Sequence, residues 1–363
     1  PSALRPRCFA DQRLYKWKPL YSRSDRDNLP KADLELVTTV ASHAWADGTL
    51  GTYGSGLLLF HSYCDSRAIP ESARAPASAD LLAGFLATAA GNYAGKTLEN
   101  YFAGVRAWHI LHGVPWLPNR DECDALLRAA TSLQPKSSHK KKRQPYLIET
   151  IEHILAHLDL STPFDAAVAS CLTAAFYSCA RIGEVTVKSL QTFNSRIHVK
   201  PSNVREERNS NGLSMTVFAI PVTKANPDGE DVYFAAHPGI SDPVALFQNH
   251  RRINNPPHDS HLFAYKHGKA LRPLTKPAFI ARLHKASRAA GIDPLQGHGI
   301  RIGSTLFYLL RGTPFDVVRT IGRWSSDAFL LYLRKHAQIM APYMQANPDL
   351  HADFIRISMP PIR

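Results

Sequence analysis

Hydrophobic positions recur at helical spacing through the N-terminal third of the chain. Leu81, Leu82, Phe85 and Leu86 form one such stripe and predict a helix with a single buried face. Applied along the segment, the same pattern predicts helices over residues 31–45, 50–64, 78–90, 96–112 and 120–133. We therefore expect a compact all-α bundle over residues 31–133, with its aromatic residues mainly in the core.

The pattern is more varied after residue 146. Residues 146–158 predict an amphipathic helix, and residues 163–180 are apolar nearly all round, which indicates a buried central helix. Three β-rich segments follow, RIHVKP, SMTVFAIPV and DVYFAA, separated by the turn sequences RNSNG and ANPDG. They predict a three-stranded antiparallel sheet. Helical patterns resume at 243–252 and 276–290. A further helix begins at GHGIR and is ended by Gly312 and Pro314, and PFDVVRTIGRW and DAFLLYLRKH follow, so the fold class is mainly α with a small antiparallel sheet.

Length and composition narrow the class of protein. The 363 residues suffice for two domains, and 44% hydrophobic with 20% charged residues is ordinary for a chain that buries a core. No apolar run approaches the ~20 residues that span a bilayer, and the chain does not open with a signal-peptide pattern, so we expect no membrane association. The 5 cysteines are scattered without a CxxC pair, which favours a reducing compartment over a zinc site or disulfide scaffold.

The charge balance indicates a polyanionic partner. Lys and Arg number 43 against 30 Asp and Glu, a formal net charge of +13. The charge alone is also compatible with a basic protein that does not bind nucleic acid.

A basic segment over residues 134–145, QPKSSHKKKRQP, is bounded by prolines and separates the two predicted domains. This pattern predicts a linker. Its charges could be simply solvated, could bind DNA phosphates, or could form a nuclear-import signal. The candidate DNA contacts are Lys136, Lys140, Lys141, Lys142 and Arg143.

Candidate chemistry concentrates in GHGIR. His298 and Arg301 are three residues apart at the predicted start of a helix, where free N–H groups and the helix dipole favour an anion. Arg181, in the turn RIGE after the buried helix, needs a carboxylate or phosphate partner; Glu184 could be that partner in a purely structural salt bridge. Lys224, in the turn VTKANPDG, could swing into a neighbouring cleft, although a lysine in a turn is usually only solvated.

The order His298, Arg301, Trp324 and Tyr332 indicates phosphoryl transfer to a tyrosine. A phenol ionises near pH ~10, so it attacks a phosphate only where neighbours favour deprotonation and neutralise the phosphate oxygens. Guanidinium groups, which bind phosphate bidentately, suit that task.

Taken together and in this order, RIGE, the turn lysine, GHGIR and GRWSSDAFLLYLRKH resemble the tyrosine recombinase (phage integrase) family. The resemblance covers residues 146–345, whereas residues 31–133 resemble the family's core-binding domain more loosely. The phrases GRWSSDA and Tyr-Leu-Arg are more similar to recombinases of eukaryotic mobile elements, especially fungal Crypton-type elements.

The resemblance implies a role for each matching residue. Arg181 and Arg301 would clamp the scissile phosphate, His298 would assist proton transfer, and Glu184 would orient them. Lys224 would protonate the 5′-hydroxyl leaving group, and Trp324 would donate its indole N–H to the phosphate. Tyr332 would be the nucleophile that forms a 3′-phosphotyrosyl bond.

The resemblance also implies partners and surroundings. The partner would be duplex DNA rather than a small molecule, bound by a homotetramer on two DNA sites, without metal or cofactor. Localisation would be nuclear for a eukaryotic element and cytoplasmic otherwise. Independently of the resemblance, the polar composition of residues 1–30 predicts a flexible arm. The tail 346–363, with Leu350, Phe354 and Ile355, is either disordered or docks on a neighbouring subunit.

Two alternatives stay open. A monomeric type IB topoisomerase would share the chemistry without pairing two sites, and a non-enzymatic DNA-binding protein derived from a recombinase would only bind. Tyr332 follows Trp324 by eight positions where several relatives use nine, and Tyr343 is the rival nucleophile.

Overall fold

The computed structural model describes residues 3–21, 30–139, 143–224 and 226–325, together with Leu330, Ile339 and Met344. The chain divides into two compact units, Pro1–Lys141 and Lys142–Arg363. The boundary between them lies inside the basic segment 134–145. Within the described ranges, no helix is both long and apolar enough to cross a membrane.

The regular secondary-structure elements in the described part of unit 1 are helices. Its helices are α1 (Arg13–Lys16), α2 (Lys31–Ser42), α3 (Asp47–Ser66), α4 (Glu71–Arg74), α5 (Ala79–Ala89), α6 (Gly95–Leu111) and α7 (Arg120–Ser132). Helix α5 shows why the hydrophobic pattern worked, because Ser78 caps its start and the predicted stripe turns Leu82, Phe85 and Leu86 inward. The five longer helices lie where the pattern predicts helices, with ends that differ by up to three residues.

The N-terminal segment corrects one prediction. We expected residues 1–30 to form a flexible arm, but within residues 3–21 Leu14 and Trp17 are buried in a hydrophobic cluster with Leu57 and Trp108. The indole Nε1 of Trp108 donates a hydrogen bond of 2.7 Å to the Trp17 carbonyl. The polar composition hid this packing, because a few apolar anchors are enough to bury a short segment.

Unit 2 is built around one apolar helix. Its helices are α8 (Ile148–Leu155), α9 (Pro163–Tyr177), α10 (Ile182–Val185), α11 (Pro243–Asn254), α12 (Lys276–Ala289), α13 (His298–Leu310) and α14 (Phe315–Ile321). Every residue of α9 from Asp165 to Tyr177 is buried, as expected for a helix that is apolar nearly all round. Asp165 is paired with Arg282 of α12 through two hydrogen bonds of 2.7 Å, which fastens α12 to the central helix.

Unit 2 also contains the predicted three-stranded antiparallel sheet, in the order β1 (Val204–Arg208), β2 (Ser214–Ile220) and β3 (Glu230–Phe234). The fold class is therefore confirmed as mainly α with small antiparallel sheets. A second, two-stranded sheet of β4 (Tyr265–His267) and β5 (Ala270–Arg272) was not predicted.

The first strand of the larger sheet was misplaced. RIHVKP does not form a strand; Asn194 instead holds the amides of Arg196, Ile197 and His198 in a turn. The true strand, VREER, is an exposed edge strand whose charged side chains show no hydrophobic alternation. Arg205 forms an ion pair with Asp231 of β3, so oppositely charged side chains contact each other across the sheet where hydrophobic contacts are missing.

Helix α13 is positioned by very close backbone contact with Tyr146. The Tyr146 amide donates to the Gly299 carbonyl at 3.0 Å, and a Cβ added at Gly303 would lie 1.8 Å from the Tyr146 carbonyl oxygen. Only glycine permits that approach. The glycines of α13 therefore set the position of the helix that begins with His298.

Candidate functional site

A cleft of about 560 Å³ opens in unit 2 at the start of α13. Its cationic or titratable lining consists of Arg143, Arg181, Lys276, His284, His298 and Arg301. The other lining residues are apolar or uncharged, and among the described residues that line the cleft none is acidic. A concave surface with several cations and no carboxylate is suited to an anion.

Arg301 lies at the bottom of this arrangement and is 2% exposed. Its guanidinium donates to the carbonyls of Cys179 and Gly322, which fixes its orientation, and its Nε is buried with no hydrogen-bond partner among the described residues. Burial and then the nearby charge of Arg181 lower the pKa of Arg301 to about 10. Because no described carboxylate forms an ion pair with it, an anion in the cleft would relieve an electrostatic penalty.

Arg181 is held by Glu184 on one side and is exposed to the cleft on the other. Its Nη1 donates to Glu184 Oε1 at 2.8 Å, and its backbone amide donates to Glu184 Oε2 at 2.9 Å. The Glu184 side chain is 6% exposed, whereas that of Arg181 is 33% exposed and lines the cleft. The salt bridge expected as the structural alternative is thus present, and it leaves part of the guanidinium available to a ligand.

Each residue of the Gly-Arg-Trp run has its own contact. Gly322 accepts a hydrogen bond from Arg301, and a Cβ at this position would lie 1.6 Å from the Trp324 ring. The Trp324 ring lies 4.3 Å from Arg301 Cζ, a cation–π contact that supports the buried guanidinium. Between them, Arg323 adopts a left-handed φ of 54° and turns its side chain toward Glu184 and Glu230.

His298 is half-buried at the first turn of α13. Burial first, and then the charges of Arg143 and Arg301, lower its pKa below the ordinary value of 6.5. The neutral imidazole is therefore the main form near pH 7 when the cleft is empty. A neutral imidazole can accept a proton or donate one hydrogen bond, and an anion in the cleft would favour its protonation.

Lys224 is exposed in the loop between β2 and β3 and is not among the residues that line the cleft. The loop is nevertheless tied to the site. Thr223 donates to Glu230 Oε2 at 2.6 Å, and the same carboxylate accepts a hydrogen bond from Arg323 at 3.2 Å.

The structure thus brings Arg181, Glu184, His298, Arg301 and Trp324 together, with Lys224 on a connected loop. Several other predictions fall outside the described residues: Tyr332 and its rival Tyr343, the helix DAFLLYLRKH apart from Leu330, the tail 346–363, and the linker lysines Lys140, Lys141 and Lys142. Of the remaining linker residues, Arg143 lines the cleft, whereas Lys136 is exposed in a short turn of unit 1.

Sequence reasoning missed Lys276, Arg323 and Glu230. Lys276 lines the cleft from the start of α12, but nothing in its local pattern separates it from any other surface lysine. Arg323 stands inside GRW, a run from which only the tryptophan was singled out. The pairing of Arg323 with Glu230 joins residues 93 positions apart, so no local pattern predicts it.

No protein-family model matches the chain, and no curated protein sequence matches it either. Among solved structures, the chain is similar to the XerH site-specific recombinase bound to a palindromic difH substrate in a post-cleavage complex. The identity is 18%, with 87% of this chain and 84% of that chain covered and a TM-score of 0.54.

Two further structures match more weakly. A Flpe–Holliday junction complex has 13% identity, coverage of 91% and 83%, and a TM-score of 0.36. The XerA recombinase has 12% identity, coverage of 91% and 98%, and a TM-score of 0.33. The XerH match, with its TM-score of 0.54, shows by itself that the chain shares the fold of that structure.

Proposed function

We propose that the chain is a tyrosine recombinase that cleaves and rejoins duplex DNA through a 3′-phosphotyrosyl intermediate. The observation that carries the proposal is the cleft itself. Arg181, His298 and Arg301 come together there from distant parts of the sequence, with no acidic side chain in the described lining. The fold shared with the XerH recombinase, whose structure is a post-cleavage DNA complex, is consistent with it.

In the proposed mechanism the two arginines bind the non-bridging oxygens of one DNA phosphodiester. Arg301, held rigid by two backbone carbonyls and the Trp324 ring, stabilises charge that develops on those oxygens in the transition state. Arg181 supplies the second guanidinium, with Glu184 fixing its angle. Preorganised donors of this kind need no reorganisation when the charge develops.

The bond changes balance without metal or cofactor. The Tyr332 phenol gives its proton to the neutral imidazole of His298, its oxygen bonds to phosphorus, and the bond from phosphorus to the 5′-oxygen breaks. Lys224 gives a proton to that oxygen, which leaves as a 5′-hydroxyl. The phosphotyrosine conserves the ester energy, so the reverse attack by a 5′-hydroxyl rejoins a strand.

We further propose that the protein belongs to a eukaryotic mobile element of the Crypton type, acts in the nucleus, and recombines DNA as a homotetramer on two sites. The sequence GRWSSDAFLLYLRKH supports the element type, and the basic segment Lys140–Arg143 supports the nuclear location. The homotetramer is what the family resemblance implies. Lys136, Lys140, Lys141, Lys142 and Arg143 would contact DNA phosphates, so that each contact adds to the salt dependence of binding.

The first test uses a library of nicked duplexes with randomised sequence, in which a released strand end diffuses away and traps the covalent intermediate. We expect a protein–DNA adduct that survives denaturant, is recovered with a defined sequence, and maps to Tyr332. Tyr332→Phe removes the only oxygen that could form this bond at that residue, so the variant should bind the recovered sequence and form no adduct.

Each outcome separates the alternatives. Strand exchange between two copies of the recovered site supports a recombinase, whereas relaxation of supercoiled DNA without exchange supports a type IB topoisomerase. DNA binding without any adduct supports the non-enzymatic DNA-binding protein. An adduct that persists in Tyr332→Phe shows that another residue is the nucleophile, and Tyr343 is the first to test.

A further inference from the structure

A continuous chain of hydrogen bonds and ion pairs joins Arg181 to the loop that carries Lys224. Glu184 accepts from Arg181 at 2.8 Å and from Arg323 Nη2 at 2.6 Å. Arg323 Nη1 in turn donates to Glu230 at 3.2 Å, and Glu230 accepts from Thr223 at 2.6 Å. Thr223 is the residue immediately before Lys224.

Arg323 is the centre of this chain. Its side chain is 8% exposed, and the two carboxylates it joins are 6% and 21% exposed, so solvent screens these pairs less than it would at the surface. Burial alone would raise the pKa of Glu184, but Arg323 first and Arg181 next lower it, and the net result is a pKa below its ordinary value. Glu184 is therefore ionised at neutral pH and holds both arginines.

The backbone of Arg323 is specialised for this position. Its φ of 54° lies in the left-handed region, which non-glycine residues rarely occupy. In this left-handed turn, the residues on both sides of Arg323 contact Arg301: the Gly322 carbonyl accepts a hydrogen bond from it and the Trp324 ring packs on it. The Arg323 side chain points instead to the two carboxylates.

We propose that Arg323 and Glu230 are positioning residues that set the Lys224 loop relative to the phosphate-binding arginines. This inference rests on the proposed function and deepens it, because it names residues that place the proton donor. Glu230 acts mainly on the Lys224 side, through Thr223, because Arg323 keeps its hydrogen bond to Glu184 when Glu230 is removed. Arg323 acts on both sides, because it also holds Glu184 and through it Arg181.

The two residues therefore have different expected signatures. Loss of Glu230 should misplace the proton donor and leave the arginine clamp in order. Loss of Arg323 should disturb the donor and the clamp together. A substrate whose leaving group needs no proton separates the two effects.

Such a substrate is a duplex with sulfur in place of the bridging 5′-oxygen at the cleavage site. Cleavage then releases a 5′-thiolate, and because a thiol ionises near pH ~8.5, far below an alcohol, expulsion requires little help from an acid. Tyr332 oxygen still bonds to phosphorus, and only the proton given by Lys224 becomes unnecessary.

The experiment measures single-turnover adduct formation by the full-length chain on the oxygen and sulfur versions of the selected site. The variants are Glu230→Met, Glu230→Gln, Arg323→Met and Lys224→Ala. Asp231→Leu is the matched control, because Asp231 is the next residue of β3 and its ion pair with Arg205 lies on the exposed part of the sheet. DNA affinity and thermal unfolding are recorded for each variant.

We expect Glu230→Met to slow cleavage of the oxygen substrate by about tenfold or more, since a positioned general acid contributes roughly 10²–10⁴-fold. On the sulfur substrate its rate should be within about threefold of wild type, as for Lys224→Ala, since neither then lacks a needed proton. Glu230→Gln keeps a hydrogen-bond acceptor for Thr223 and Arg323 and should recover most of the rate. Arg323→Met should be slow on both substrates, and Asp231→Leu on neither.

Equal slowing of Glu230→Met on both substrates, or behaviour like Asp231→Leu, overturns the inference while leaving the proposed function in place. Failure of sulfur to restore Lys224→Ala also overturns it, because Lys224 is then not the donor to be positioned. If wild type forms no adduct on either substrate, the proposed function fails first and the inference fails with it.

Discussion

At the scale of single residues, the site depends on a buried arginine and on the groups that orient it. Arg301 has two carbonyl acceptors and an aromatic ring for support, but among the described residues no carboxylate forms a direct ion pair with it, so an anion in the cleft would be its first ion-pair partner. Arg181 has the opposite arrangement, with a carboxylate behind it and solvent in front. One guanidinium is thus fixed deep in the cleft and the other reaches out from its wall.

The electrostatics of the cleft can be tested at His298. Burial first and Arg143 second lower its pKa in the free protein, so NMR titration of the imidazole should give a midpoint below 6.5. Arg143→Gln removes one repelling charge and should raise that midpoint toward 6.5. Binding of the selected DNA site should also raise it, because the phosphate favours the protonated imidazole.

Lys136→Gln is the matched control, since Lys136 is an exposed cation of the same basic segment that does not line the cleft. A midpoint that Arg143→Gln and Lys136→Gln shift equally would contradict a local effect of Arg143 on His298.

At the scale of elements, helix α13 joins the fold to the chemistry. The Tyr146 backbone lies against Gly299 and Gly303, one turn apart, and the same helix begins with His298 and includes Arg301. Its position along Tyr146 therefore sets the depth at which both side chains enter the cleft.

Gly303→Ala tests this contact. The added methyl group would overlap the Tyr146 carbonyl, so we expect a loss of about 1–3 kcal/mol in the free energy of unfolding of unit 2, as for other overpacked positions. Adduct formation should fall as well, because the helix that carries two site residues must move away. Urea unfolding and single-turnover cleavage measure the two effects.

Gly51→Ala provides the control for the substitution itself. Gly51 lies inside α3, and a Cβ at this position would meet nothing within 4 Å. Alanine should stabilise this helical position by about 0.5–1 kcal/mol. Equal effects of the two substitutions would argue against the close contact at Tyr146.

At the scale of the whole molecule, both units bury histidines in their cores. Burial lowers the pKa of His61 to about 3 and of His109 to about 4 in unit 1. In unit 2 it lowers the pKa of His250 to about 4 and of His261 to about 3. These imidazoles are neutral in the folded protein at every pH at which it is expected to work.

Stability should therefore fall on acidification. A histidine with a pKa of about 3 when folded and 6.5 when unfolded binds more protons in the unfolded state at every pH between those values. Its contribution is fully present above pH 6.5 and is lost as the pH falls toward 3, by about 2 kcal/mol at pH 5 for one such residue.

His261→Asn should remove one such contribution from unit 2. The amide oxygen of Asn can still accept from the Phe263 amide, as His261 Nδ1 does at 3.2 Å. The loss of stability between pH 7.5 and pH 5 should shrink by about 2 kcal/mol. Amide hydrogen exchange in α9, followed as a function of urea and corrected for intrinsic exchange at each pH, measures this loss of stability.

His267→Asn, on exposed β4, is the control and should leave the difference between the two pH values unchanged. The assignment would be contradicted if His261→Asn lost as much stability between pH 7.5 and pH 5 as the wild type.

Much of the molecule follows from the sequence because its determinants are local. A stripe such as Leu82, Phe85 and Leu86 defines a helix through spacing alone, and an apolar run such as that of α9 defines a buried helix through composition. The residue types at the candidate site, a histidine and an arginine at a helix start and an arginine in RIGE, could also be selected in this way. The sequence pattern did not predict strand VREER or the packed segment around Leu14 and Trp17. Charge pairs and short buried segments have no hydrophobic periodicity from which they could be recognised.

By itself, the sequence determined the order and type of the chemical groups and the helices that carry most of them, since helical periodicity and capping act within a few residues. Only the tertiary structure decided which groups meet. Arg301 and the Cys179 carbonyl are 122 positions apart, and Arg323 and Glu184 are 139 apart. Such contacts depend on how α9, α13 and the β2–β3 loop pack around one core. Packing is a property of the whole unit, whereas periodicity is a property of one segment.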